Sequence, residues 1–147
     1  MYKIKIIDGP NINMLGIREI NIYGKETYLK IQEYIKESLK KEEVELSFFQ
    51  SNHEGSIIDE IQKCYFEKYD GLVINPAAYT HTSIAILDAL KTINIPTIEV
   101  HLSDINSRED FRKKSYISEY CIKRIINKGK EGYVEAVYAL INFLKSK

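Results

Sequence analysis

An α/β fold with a parallel sheet covered on both faces is predicted by three features of the chain. Short runs rich in β-branched residues alternate with amphipathic runs at helical spacing from end to end. The strand-like runs are nearly continuous in apolar residues, as expected for strands buried on both faces. Five such strand–helix units fit into 147 residues, a length suited to a single core. Together they predict a doubly wound, five-stranded parallel sheet in three layers, of the flavodoxin-like kind, over residues 1–147.

The elements follow in order. Ile4–Ile7 reads as the first strand. Tyr28, Ile31, Ile35 and Leu39 repeat at helical spacing, with Thr27 near the start and Lys40-Lys41 at the end. Val44–Phe49 is the second strand, and Ile57, Ile58, Ile61, Cys64 and Tyr65 form the next helical stripe. Gly71–Asn75 is a short apolar strand. Ile84, Ala85, Leu87 and Leu90 belong to a third helix, and Ile95–Val100 to a fourth strand. Cys121–Ile126 reads as a fifth strand, before a final helix marked by Val134, Val137, Tyr138, Ile141 and Leu144. Linkers, repeats and low-complexity segments are not evident in the sequence.

Composition narrows the functional classes. Lys plus Arg and Asp plus Glu each number 21, which speaks against a nucleic-acid footprint or a membrane-surface patch. No apolar run approaches the roughly 18 residues of a membrane span. Met1-Tyr2-Lys3-Ile4 enters a strand at once, leaving no room for a signal peptide, so a cytoplasmic location is expected. Cys64 and Cys121 lie in apolar stretches and read as buried thiols rather than a disulfide framework. Nucleophile-elbow, phosphate-loop and dinucleotide-binding glycine motifs are absent, and no Cys/His pair has zinc-ligand spacing.

Ligands of open α/β sheets bind beyond the carboxyl ends of the strands. Here those ends are polar: Asp8-Gly9-Pro10-Asn11, Gln50 to Gly55, Asn75 to Ser83, and Glu99 to Asp104. The three histidines, His53, His81 and His101, all fall just beyond strand ends on this rim, which points to a polar small-molecule site. Segment 8–24 is far longer than the usual connection of about 2–6 residues. It reads as a lid carrying Arg18 and Tyr23, and a guanidinium that stabilises a phenolate makes tyrosine a usable base.

Plainer readings stand beside these. Asn11 and Asn75 serve equally as turn residues, His53 as a cap or an exposed side chain, and His81 as loop polarity next to the helix starters Thr82 and Ser83. Glu99 and His101 point to one side of a strand, where the carboxylate orients the ring and keeps it protonated, or the two form a buried structural pair. Asp88 is a solvated helix residue or an interface contact. Arg108 and Arg112 either clamp an anion or are solvated.

The four strand-end segments together resemble type II 3-dehydroquinate dehydratases. The matching residues are Gly9-Pro10-Asn11-Ile12-Asn13 with Leu15 to Glu19 and Tyr23-Gly24; Gln50-Ser51-Asn52-His53-Glu54-Gly55; Asn75-Pro76-Ala77-Ala78-Tyr79-Thr80-His81-Thr82-Ser83 with Asp88-Ala89; and Glu99-Val100-His101-Leu102-Ser103. Phe111-Arg112 and Lys114 to Ser118 extend the likeness over essentially the whole chain. The resemblance implies reversible dehydration of 3-dehydroquinate to 3-dehydroshikimate without metal or organic cofactor, in a dodecamer built from trimers. It implies Tyr23 as the base, Arg18 as the arginine that lowers its pKa, His101 as the general acid and Glu99 as its support. Asn11 would help hold a water against the enolate oxygen. Asn75, His81 and Arg112 would contact substrate hydroxyls, Leu102 and Ser103 would receive the carboxylate, and Asp88 would reach a neighbouring subunit's site. Many members of that family have Asn at the place of Asp8, Pro at that of Ile20 and Asn at that of Asp104. The competing expectation, from the fold alone, is a module that binds flavin mononucleotide.

Overall fold

The computed structural model describes residues 1–17 and 19–147, with Tyr23 described by its backbone. Arg18 lies outside the described residues. Among the described residues there are five strands: β1 (Tyr2–Asp8), β2 (Val44–Gln50), β3 (Gly71–Asn75), β4 (Thr97–Val100) and β5 (Lys123–Ile125). They lie in the order β2-β1-β3-β4-β5, all parallel, which is the flavodoxin-like order.

Side chains alternate across the strands and divide the core into two. Ile4, Ile6 and Val73 face α2 (Tyr28–Ser38) and α5 (Glu131–Lys145). Ile7, Leu72 and Ile74 face α3 (Glu54–Phe66) and α4 (Ile84–Ile93). Three layers result, as the sequence predicts. Thr27 caps α2 by accepting from the Lys30 amide at 3.3 Å, and Ser83 caps α4 through the Ile86 amide at 3.0 Å. No helix among the described residues is long and apolar enough to cross a membrane.

Several local expectations shift. Segment 8–24 is not wholly irregular: it holds a 3-10 turn at Ile12–Met14 and the short helix α1 (Ile20–Tyr23). β4 begins at Thr97 because Pro96, which has no amide hydrogen, precedes it. β5 is the short edge strand, with Lys123 and Arg124 exposed. The buried face of α5 runs through Tyr133, Ala136, Val137, Leu140 and Ile141, so Tyr138 is exposed rather than central. Tyr65 and Ile84 are likewise exposed, because the sheet selects one of two adjoining apolar rows. Cys64 is buried and Cys121 half-buried, and both are free thiols. Burial pushes the Cys64 thiol up to about 12.

The β1 and β3 ends meet at Gly9, whose amide donates to the Asn75 carbonyl at 2.8 Å. A Cβ at position 9 would lie 2.3 Å from the Pro76 carbonyl oxygen, a backbone atom that cannot swing aside. Gly9→Ala is therefore expected to destabilise the chain by about 1–3 kcal/mol or more in urea unfolding, while moving the Asn11 turn.

Asp8 ends β1 fully buried between two phenols, Tyr133 at 2.5 Å and Tyr28 at 3.2 Å. Burial raises its carboxyl from 3.8 to about 7, although both hydroxyls favour the ion. The folded chain thus holds this proton more tightly than the unfolded one, and stability is lost as pH rises through that window. Asp8→Asn does not titrate there. Its melting temperature is expected to pull ahead of the native chain between about pH 4 and pH 7, by up to about 4 kcal/mol in stability, and to hold that lead at higher pH. Thermal unfolding at several pH values checks the trend.

Candidate active site

The strand ends line one cavity that is partly open to solvent. Asn11, Asn75, His81, His101, Leu102, Ser103 and Arg112 all line it, together with Arg108. Most of the predicted site residues are thus brought together.

The end of β4 supplies the most ordered part. Glu99, fully buried, accepts from His101 Nε2 at 2.5 Å, Ser115 Oγ at 2.7 Å and Ser118 Oγ at 2.5 Å. Burial alone would raise the Glu99 carboxyl; the His101 bond and charge and the two serine hydroxyls outweigh it and hold the group below its ordinary value. A carboxylate only accepts, so Nε2 carries the hydrogen of this pair. Nδ1 is then the ring nitrogen left to serve the cavity. Glu99 stands behind His101, away from the lining, as a support rather than a contact.

The turn Ala77–His81 follows β3. Asn75 is both turn residue and cavity residue: its Oδ1 accepts from the Ala77 amide at 3.1 Å, and its Nδ2 donates to the Tyr133 hydroxyl at 3.0 Å. His81 Nδ1 lies 2.7 Å from the Lys114 carbonyl oxygen. That oxygen can only accept, so Nδ1 bears the hydrogen and in the neutral ring Nε2 carries the lone pair. Burial, together with the charges of His101, Arg112 and Arg108, lowers the His81 pKa against the opposing Lys114 bond, which favours this neutral form.

Asn11 sits in the left-handed region at φ 70°, held by its amide donating to Asn52 Oδ1 at 3.0 Å. Beyond β4, the Leu102 and Ser103 carbonyls are tied to the amides of Gly129 and Asn127. Asp104 caps the turn Ile105–Ser107 through the Asn106 amide. This turn and the next one, Asp110–Arg112, bring Arg108 and Arg112 to the cavity, and Arg112 Nε also pairs with Glu109. Two guanidinium groups over a concave, histidine-lined floor suit an anionic, hydroxyl-bearing small molecule.

Other candidates fall elsewhere. Asp88 is exposed on α4 and is not among the lining residues. His53 is exposed at the start of α3 and makes no capping bond, so the rim histidines contribute two of three to the cavity. The Tyr23 backbone closes α1, and its partner in the sequence argument, Arg18, lies outside the described residues. Sequence reasoning did not single out Ser115, Ser118 or Tyr133 as supports. The two serines recur at a three-residue spacing, a faint signal, whereas Tyr133 is masked by the apolar pattern of its helix.

Comparison with known proteins accords with this geometry. The family model described as dehydroquinase class II matches residues 2–141. A 3-dehydroquinate dehydratase of Clostridium beijerinckii is 57% identical over 138 residues, 94% of each chain. One from Clostridium perfringens is 55% identical over 145 residues, 99% of each chain. The crystal structure of type II dehydroquinase from Butyrivibrio crossotus superposes with a TM-score of 0.93 at 50% identity, over 95% of this chain and 97% of that one. Motifs, strand order, cavity and relatives agree: the chain belongs to the dehydroquinase class II family.

Proposed function

We propose that this chain catalyses the reversible dehydration of 3-dehydroquinate to 3-dehydroshikimate, as a step of the shikimate pathway. The observation that carries the reading is the convergence of Asn11, Asn75, His81, His101 and two arginines on one cavity in a class II chain. In this mechanism the Tyr23 phenolate, stabilised by Arg18, removes the proton next to the ketone. The electrons pass to the carbonyl oxygen as an enolate, which a water held by Asn11 stabilises. The enolate then collapses to the conjugated enone as the carbon–oxygen bond breaks and His101 protonates the departing hydroxyl, releasing water. Asn75, His81 and Arg112 hold hydroxyls, and Leu102 and Ser103 receive the carboxylate. No step calls for a metal or organic cofactor.

We read residues 1–147 as one catalytic domain working in the cytoplasm. Assembly as a dodecamer built from four trimers is supported by apolar side chains exposed on the single chain, among them Tyr65, Phe66, Ile84 and Phe111. Exposed Asp88 would act only on the cavity of a neighbouring copy. Asp88→Ala is therefore expected to impair turnover, and sedimentation velocity on the same variant reports whether assembly suffers.

Absorbance at the enone band, recorded after mixing the chain with 3-dehydroquinate in EDTA, tests the proposal. A rapid rise, lost in Tyr23→Phe, supports it. No rise from the folded chain would turn attention to other cyclic hydroxy acids. A yellow protein carrying flavin would favour the competing module, against which the first loop speaks: a phosphate cradle calls for Ser-, Thr- and Gly-rich backbone amides at a helix N-terminus, not a long segment with Arg and Tyr.

A further inference from the structure

We propose that Asp8 and Tyr133 are positioning residues for the cavity, forming with Asn75 a one-way hydrogen-bond relay that fixes which end of the Asn75 carboxamide a ligand meets. The inference rests on reading Asn75 as a ligand contact. The relay lies on the sheet face opposite the Glu99 cluster, beneath α2 and α5.

Asp8 is 1% exposed, and its Oδ1 accepts from the Tyr133 hydroxyl at 2.5 Å. Tyr133, equally buried, accepts in turn from Asn75 Nδ2 at 3.0 Å. Asn75 Oδ1 is occupied by the Ala77 amide at 3.1 Å. A carboxylate has no proton to give, and a phenol has one. With that proton committed to Asp8, Tyr133 meets Asn75 with lone pairs, and Asn75 must answer with its NH2 group. A flipped carboxamide would set oxygen against the phenol lone pairs and NH2 against the Ala77 N–H, two repulsive contacts in place of two bonds. The second Nδ2 hydrogen then remains for the cavity that Asn75 lines. A ligand oxygen is received there by a donor whose orientation one buried charge has set.

The titratable groups facing Asp8 are the phenols of Tyr28 from α2 and Tyr133 from α5; its register neighbours on β2 and β3, Gln50 and Asn75, are uncharged. The carboxyl, near 7, is mostly ionised at about pH 8, the condition for the test.

With 3-dehydroquinate as substrate, Tyr133→Phe is expected to raise KM about three- to ten-fold, the worth of one hydrogen bond, with a smaller change in kcat. Asp8→Leu removes the acceptor and should do the same. Asp8→Asn, whose carboxamide oxygen still accepts from Tyr133, should bring KM back toward the native value. The decisive comparison is Tyr133→Phe in an Asn75→Ala background, where no further rise in KM is expected. A Tyr133→Phe effect that persists there, or no effect in the single variant, overturns the relay. Tyr133→Phe changes one hydroxyl and carries the test should Asp8→Leu fail to fold. A second readout needs no substrate: the Asn75 side-chain amide resonances, assigned by their loss in Asn75→Ala, should move between about pH 5.5 and pH 8.5 in the native chain and stay fixed in Tyr133→Phe. Signals that titrate equally in both overturn the relay. A native chain inactive on 3-dehydroquinate overturns the functional reading alone, and the amide signals then decide the relay.

Discussion

Tyr23→Phe is expected to leave ligand binding in place and to slow turnover by about 100- to 10,000-fold, the contribution of a positioned base. The substitution removes one oxygen and keeps the ring. What disappears is the only atom of that side chain able to take a proton. The size of the effect follows from the proposed mechanism, in which a carbon acid next to a ketone, which gives up its proton slowly to water, must form an enolate before the hydroxyl leaves. In the proposed mechanism Arg18 enters through the charge of the phenolate. Arg18→Gln should move the limb of kcat/KM that reports the base to higher pH, because the phenolate loses its cationic partner. Single-turnover kinetics and calorimetric titration with a non-reacting cyclic acid separate chemistry from binding. Turnover within ten-fold of native in Tyr23→Phe would assign the base elsewhere.

The second large effect belongs to Glu99. Its carboxylate gathers three donors in a fully buried place, His101, Ser115 and Ser118. Glu99→Ala leaves all three without their acceptor and is expected to destabilise the chain by about 3–5 kcal/mol. Glu99→Gln keeps the size but sets an NH2 group among the donors. His101 then loses the acceptor that orients its ring. A drop in kcat of about 100-fold or more is expected, with KM less affected. The pH dependence has a definite sign. The folded carboxyl lies below its ordinary value of 4.5, so the stabilisation from Glu99 is complete above that pH and fades as pH falls through the folded value. The stability gap between native and Glu99→Gln should therefore be widest near neutral pH and close in acid, in contrast to Asp8→Asn, whose lead grows as pH rises. Two buried acids on opposite faces of one sheet should thus respond to pH in opposite senses. Urea unfolding of both variants at several pH values checks the pair.

The sequence alone determined the α/β class, the five parallel strands and the rim on which the site lies. These rest on local periodicity and on chain direction: parallel strands present all their carboxyl ends on one side, so polar segments that follow apolar runs must gather there. Asn11, Asn75, His81 and His101 were legible as cavity-lining residues for that reason, whereas Arg112 was singled out by the family resemblance. The phase of α5 was not, because two adjoining rows of its surface are apolar and only the docked sheet chooses between them. Nor were the supports. Ser115 and Ser118 reach Glu99 from a separate turn, and Tyr133 meets Asp8 across 125 residues of chain. Such partners are chosen by the requirement that a buried carboxylate find donors wherever the packed layers bring them, and distance through the folded chain leaves no mark on local pattern.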